Sequence, residues 1–344
     1  MRTVWMTCLV GLVVGWFSHD ALGQFASVAA SPDGGLVAAG GSGKFIWIWN
    51  RTNGTVMQRL TASGPVKGLF FVGDGSCLAA GEDEKGVELW RTAENGPWTK
   101  TQLIDARTLV YAMSASFDGK WFAAGGHSGW TSFYDSATGK PLGVLFERSN
   151  LTCGLACSPD GTFMATAGNS FSVWDIRTNS PLWQPRADRA VEELEITSKR
   201  ALRWSHPVAL EAGDAPYCDD IAISPDNRWV TGVNGVSRHD SGGQRLYLWE
   251  AQTGAQHWLS RAAGMTCVAF VGNGSRIVTG SDDGQIRIWE TETGKLITAF
   301  HGHDKAVRNL ARIPGGVVSA ADDGKVILWD GQSGRRMQVL RAGK

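Results

Sequence analysis

Seven aromatic residues recur along the chain at nearly fixed spacing. They are Trp49, Trp90, Tyr134, Trp174, Trp249, Trp289 and Trp329, separated by 41, 44, 40, 75, 40 and 40 residues. Each closes a short apolar run and is followed by a polar residue. A period near forty means that each unit is one supersecondary piece, too small to bury its own apolar surface. The units must therefore pack on one another, and a stacked or ring-shaped repeat is the required plan.

The content of one unit says which repeat. Residues 265–290 hold three short runs rich in β-branched and aromatic residues, split by glycine-containing turns. The first turn, Val271-Gly272-Asn273-Gly274, corresponds to Ser31-Pro32-Asp33-Gly34, Ser158-Pro159-Asp160-Gly161 and Ser224-Pro225-Asp226-Asn227. Pro presets φ there, Asp caps the turn, and Gly or Asn takes the left-handed conformation. Asp283-Gly284 and Asp323-Gly324 supply the second turn, and Thr293-Gly294 the third, before a fourth run at 295–300. Each unit is thus a four-stranded antiparallel meander with two apolar faces. Radial packing covers both faces, so the expected fold is all-β: a seven-bladed β-propeller of four-stranded antiparallel blades. First-type turns occur once before each aromatic, near 32, 73, 117, 159, 225, 272 and 315. The 75-residue interval therefore reads as insertions, at about 186–216 and at 233–245, and not as an eighth blade. Both join strand ends that open on the same rim, at adjacent blades.

The chain resembles the WD40 family over nearly all of residues 25–340. The resemblance is strongest in Ser281-Asp282-Asp283-Gly284-Gln285-Ile286-Arg287-Ile288-Trp289 and in Asp322-Asp323-Gly324-Lys325-Val326-Ile327-Leu328-Trp329-Asp330, with Gly302-His303 at the family's Gly-His position. It implies that His303, Ser319, Asp323 and Trp329 form the family's structural hydrogen-bond tetrad. The sixth unit keeps Thr279, Asp283 and Trp289 but has Arg261 at the His position. The resemblance also implies faces that bind proteins or peptides. Phe25–Ala30 already reads as an innermost strand, so the ring is expected to close without strand exchange.

Lys plus Arg equals Asp plus Glu at 33 each, giving a formal charge of zero. Nothing here builds a basic field for nucleic acid. Arg2, the apolar stretch Val4 to Phe17, and small residues at Ala21 and Gly23 read as a signal peptide over 1–23. The propeller would then occupy 24–344, exported to a periplasmic or extracellular compartment, with no membrane insertion after cleavage. The stretch is short of the roughly 20 residues that span a bilayer. Cys77, Cys153, Cys157, Cys218 and Cys267 remain, an odd number without metal-ligand spacing, and read as small apolar strand residues.

Function is sought where the repeat is broken, because loops on a rigid scaffold carry binding. The larger insertion offers Arg203, Trp204 and His206, and the smaller one Arg238, His239 and Asp240. Trp and Arg are common interface anchors. Blade three adds His127 and blade two Glu82-Asp83-Glu84 through the equivalent connection. No two His stand at ligand spacing, and no nucleophile elbow or dinucleotide loop is present. The expected function is an exported, non-catalytic scaffold that binds a protein or peptide partner at the rim of blades 4 and 5, with no cofactor, metal or catalytic residue. The alternative is an exported propeller enzyme, a quinoprotein-like dehydrogenase or a hydrolase. Pro181-Leu182-Trp183 and His257-Trp258 faintly resemble the Trp-ended repeats of quinoproteins.

Overall fold

In a computed structural model, the described residues are 24–342 apart from 83–85, 94–95, 107–108, 117, 128, 147–150, 169–170, 178–179, 184–217 and 235–243. They form seven four-stranded sheets, each with its strands paired in sequence order. All described pairings are antiparallel, and no helix occurs among the described residues. The blades span 25–61, 66–104, 110–146, 152–183, 220–261, 265–301 and 307–341. The fold is the expected seven-bladed propeller.

The turn between the first two strands shows why the repeat folds locally. Ser31 Oγ donates to Asp33 Oδ1 and accepts the Leu36 N–H at 2.8 Å, while Asp33 Oδ1 accepts the Gly35 N–H at 2.9 Å. Ser158 with Asp160 and Ser224 with Asp226 repeat the arrangement. The next residue has positive φ: Gly34 at 69°, Gly161 at 69° and Asn227 at 62°. Asn is among the few other residues that tolerate this region, which explains the substitution in blade 5.

The core lies between the blades. Seven buried clusters are present, one for each pair of neighbours, including blades 7 and 1. In every cluster the periodic aromatic of one blade packs on the blade before it: Trp90 against blade 1, Tyr134 against blade 2, and so on to Trp49 against blade 7. None of the seven is more than 7% exposed, so each is an interface residue in full. Burying about 150–250 Å² per Trp stabilises each seam by roughly 4–6 kcal/mol at ~25 cal/mol per Å².

Blade 7 supplies its own outer strand, Arg336–Arg341, and blade 1 meets it directly. Trp49 Nε1 donates to Arg341 O at 3.1 Å, and the Val28 N–H donates to Asn309 Oδ1 at 3.2 Å. The second contact recurs. Ser27 accepts the Leu69 N–H at 2.9 Å, and Asp220 accepts the Val268 N–H at 2.9 Å, from the same register position of their inner strands. These polar side chains staple one inner strand to the next around the axis. Asn309→Ala is expected to leave the buried Val28 N–H unpaired at the closing seam and to cost about 1–3 kcal/mol. A lowered midpoint in chemical denaturation, with unchanged slope, would register it.

Candidate interaction face

The inner strand of a blade starts on the same face on which its second strand ends. On that face six of the seven blades carry a β-bulge, with one extra residue in the inner strand. The extra residues are Ala26, Lys67, Tyr111, Cys153, Thr266 and Arg308. Their neighbours on both sides are buried or partly buried, yet these six are half-buried or exposed. A bulge re-aims a side chain out of the pleat. Here it does so around the mouth of the axial channel. Asp219 completes the ring from blade 5.

Glycines accommodate three of the bulges. A Cβ on Gly126 would lie 1.5 Å from Leu109 O, and one on Gly41 would lie 1.9 Å from Gln24 O. In blades 1, 3 and 4 the second strand therefore ends in Gly, at Gly41, Gly126 and Gly168, where the backbone leading into the bulge presses against it; Glu82, Ser281 and Ala321 stand there in blades 2, 6 and 7. Tyr111 meets His127 edge-on, with ring centroids 6.5 Å apart, and Arg308 pairs with Asp322. Thr266 Oγ1 donates to Val307 O on the next inner strand at 2.5 Å and lies 3.2 Å from Gly280 O.

Both insertions leave the scaffold on this face. Cys218 and Asp219 end the larger one, and Asn234 and Gln244 flank the smaller. The Asp219 N–H donates to Val233 O at 2.8 Å, so their ends are adjacent. Arg203, Trp204, His206, Arg238, His239 and Asp240 themselves lie outside the described residues. Of the residues singled out for binding, His127 is described and is exposed. Beside the smaller insertion is an open cavity of about 520 Å³ lined by Gln244, Arg261, Ala262, Ala263, Gly264 and Asp282. Arg261, which stands at the His position of blade 6, is exposed in it. Among the described residues, no group of three or more His, Cys, Asp and Glu is placed to hold a metal ion. Glu82 corrects one expectation: it is not on the solvated rim but fully buried.

In blade 7, Trp329 Nε1 donates to Ser319 Oγ at 2.8 Å, and Ser319 Oγ lies 2.6 Å from His303 Nε2. His303 Nδ1 lies 3.1 Å from both Asp323 oxygens. An ionised Asp323 requires Nδ1 to carry the hydrogen, so in the neutral ring Nε2 accepts from the Ser319 hydroxyl. Burial would raise the Asp323 carboxyl, but the His303 hydrogen bond, the Asp304 N–H and the Lys325 N–H outweigh it and hold it at about 2. Blade 6 keeps one link, Trp289 Nε1 to Thr279 Oγ1 at 3.0 Å, and blade 4 has Trp174 Nε1 to Thr166 Oγ1 at 3.2 Å.

The family "WD domain, G-beta repeat" matches the chain at residues 16–50, 255–290 and 294–330. The first match begins inside the segment 1–23. The periodic tryptophan protein 2 homolog of Schizosaccharomyces pombe is 29% identical over 140 residues, 40% of this chain and 16% of that protein. Pre-mRNA-processing factor 19 homolog 2 of Arabidopsis thaliana is 28% identical over 152 residues, 42% of this chain and 29% of its own length. Serine-threonine kinase receptor-associated protein of Bos taurus is 21% identical over 279 residues, 76% of each chain. The chain thus spans less than a third of the first two relatives.

Asp323→Asn removes the charge that orients His303 and is expected to cost about 1–3 kcal/mol near neutral pH. The folded pKa lies below the unfolded one, so this contribution is present above about 3.8 and is lost as pH falls through about 2. Unfolding midpoints of wild type and variant should therefore converge across that acid range. A constant gap would rule out Asp323 ionisation as its source.

Proposed function

From a seven-bladed propeller with WD40 repeats in three places, we propose a non-catalytic scaffold that binds a protein or peptide partner on the face carrying the channel mouth. The observation that carries this reading is the set of six bulges, each of which puts one residue at that mouth while its neighbours stay in the seams. Evenly repeated packing has no need to bring six residues of its innermost strands into partial or full contact with solvent. The relatives with which the chain shares WD40-type sequence support a protein partner over a small substrate. Within this face we assign the docking area to the rim of blades 4 and 5, where the two insertion ends adjoin. Arg203, Trp204, His206, Arg238, His239 and Asp240 would supply the contacts beyond them, with His127 on the neighbouring blade.

We also propose that residues 1–23 are a leader removed on export, from the basic start and short apolar stretch. The repeat match that begins at Trp16 favours a second reading, in which residues 16–24 belong to the first unit. Among the described residues no helix is long and apolar enough to cross a membrane.

Two measurements test these proposals. Affinity pull-down should lose the bound partner when residues 187–215 are replaced by a short Gly-Ser loop. It should weaken about tenfold or more when Lys67, Tyr111 and Arg308 are changed together to Ala, with the fold intact by circular dichroism. Full retention of every partner in both variants would refute the face. Intact mass of exported protein should begin at Gln24; a mass that includes 1–23 would refute cleavage.

A further inference from the structure

Blade 2 lacks the hydroxyl that receives the indole in blade 7, because Ala80 stands at the register position of Ser319. Opposite Ala80, on the third strand, is Glu88, and at the end of the second strand is Glu82. Both are 0% exposed. Glu88 Oε1 accepts from Lys100 Nζ at 2.6 Å and from Ser63 Oγ at 2.5 Å. Glu82 Oε1 accepts the Ser63 backbone N–H at 3.0 Å. Ser63 belongs to the connection from blade 1 to blade 2, so one residue spans both carboxyls. The remaining oxygens, Glu82 Oε2 and Glu88 Oε2, are buried and have no other partner, while the two side chains lie within hydrogen-bonding reach of each other.

Two carboxylates this close and dry do not both stay ionised when one ammonium group serves them. We propose that Glu82 and Glu88 bind a single proton between them, and that this proton fastens the blade 1–2 connection to blade 2. Glu88 is the anion, because Lys100 and the Ser63 hydroxyl both donate to it. Glu82 is the acid, and its O–H donates to Glu88 Oε2. The site does for blade 2 what the histidine network does for blade 7: it ties an incoming connection to the sheet. It does so with an acidic proton in place of an imidazole.

The titration follows from these surroundings. Burial pushes Glu82 up to about 8, with the hydrogen bond and charge of Glu88 adding to it. Burial opposes the charge on Glu88 too, but the hydrogen bonds from Glu82, Lys100 and Ser63 outweigh it and lower its pKa. The charged group that meets the pair from the described residues is Lys100 on the outer strand; Ser63, from the blade 1 side, is uncharged. Residues 83–85 lie outside the described residues. A raised folded pKa makes the Glu82 contribution full below its ordinary value near 4.5 and progressively lost as pH rises, until it is gone above about 8. Glu88, lowered in the fold, adds a slope of opposite sign only around and below its ordinary value near 4.5, outside the range from about 5 to 8.

Infrared spectroscopy of the full chain tests the proton directly. Asp220 is a second carboxyl that burial pushes up, to about 7, so the test is run in Asp220→Asn. In that background a protonated-carboxyl band should be present at pH 6, vanish by pH 10, and be missing at pH 6 when Glu82→Gln is added. The folding equilibrium of wild type relative to Glu82→Gln should weaken by about tenfold per pH unit between roughly pH 5 and 8. The amide still donates to Glu88 and does not titrate. An unchanged band in the Asp220→Asn/Glu82→Gln double variant, or wild-type and Glu82→Gln stabilities that run parallel in pH, would overturn the proposal. So would a stoichiometric divalent cation whose chelation removes the stability. If Glu82→Gln fails to fold, the spectra of Asp220→Asn at pH 6 and 10 decide, and the lack of a carboxyl band at pH 6, or one unchanged at pH 10, overturns it.

Discussion

Everything in this molecule depends on burying one aromatic side chain per blade against the blade before it. A four-stranded meander exposes apolar residues on both faces, and no blade hides either alone. Trp49, Trp90, Tyr134, Trp174, Trp249, Trp289 and Trp329 are the largest repeated contribution to those seams. Because each points backward, the relation closes only when blade 1 finds blade 7. The Trp49–Arg341 hydrogen bond and the Asn309 staple complete that seam without strand exchange.

An indole also carries an N–H that has to be satisfied when buried. Where the second strand offers a hydroxyl, at Thr166, Thr279 and Ser319, the indole takes it. Blade 1 has Ala39 at that register and Trp49 reaches across the seam to a carbonyl. In blade 2, with Ala80, the Trp90 N–H is buried without a partner, and Lys100 lies over the ring 5.4 Å from its centroid. The same lysine neutralises Glu88. Degeneration of the repeat in blade 2 is therefore compensated by a different polar cluster, not simply left empty.

The seams and the face are separated by backbone irregularity. A regular strand would send alternate side chains into the two neighbouring seams. The bulges interrupt that alternation once per blade, at the channel mouth, and terminal glycines such as Gly41 and Gly126 make room for it. Residues can vary there without disturbing the aromatic packing, which gives a rigid scaffold a variable surface.

The sequence by itself determined the blade number, the meander, the turns and the ring closure, because these rest on period, local turn chemistry and apolar alternation. The Gly-His and Ser/Asp/Trp positions of blade 7 were equally legible, since they sit at fixed offsets within one unit. Tertiary structure alone decided the rest. Lys67, Tyr111 and Arg308 look like ordinary strand residues in the chain; only the cross-strand register reveals them as the extra residue of a bulge. Glu82 read as a rim carboxylate because it precedes Asp83 and Glu84. Its burial depends on Ser63 and Lys100, 19 residues before it and 18 after it, which only the closing of the blade 1–2 seam brings together. Local pattern fixes what repeats, whereas a side chain's solvent and partners are fixed by neighbours distant in sequence.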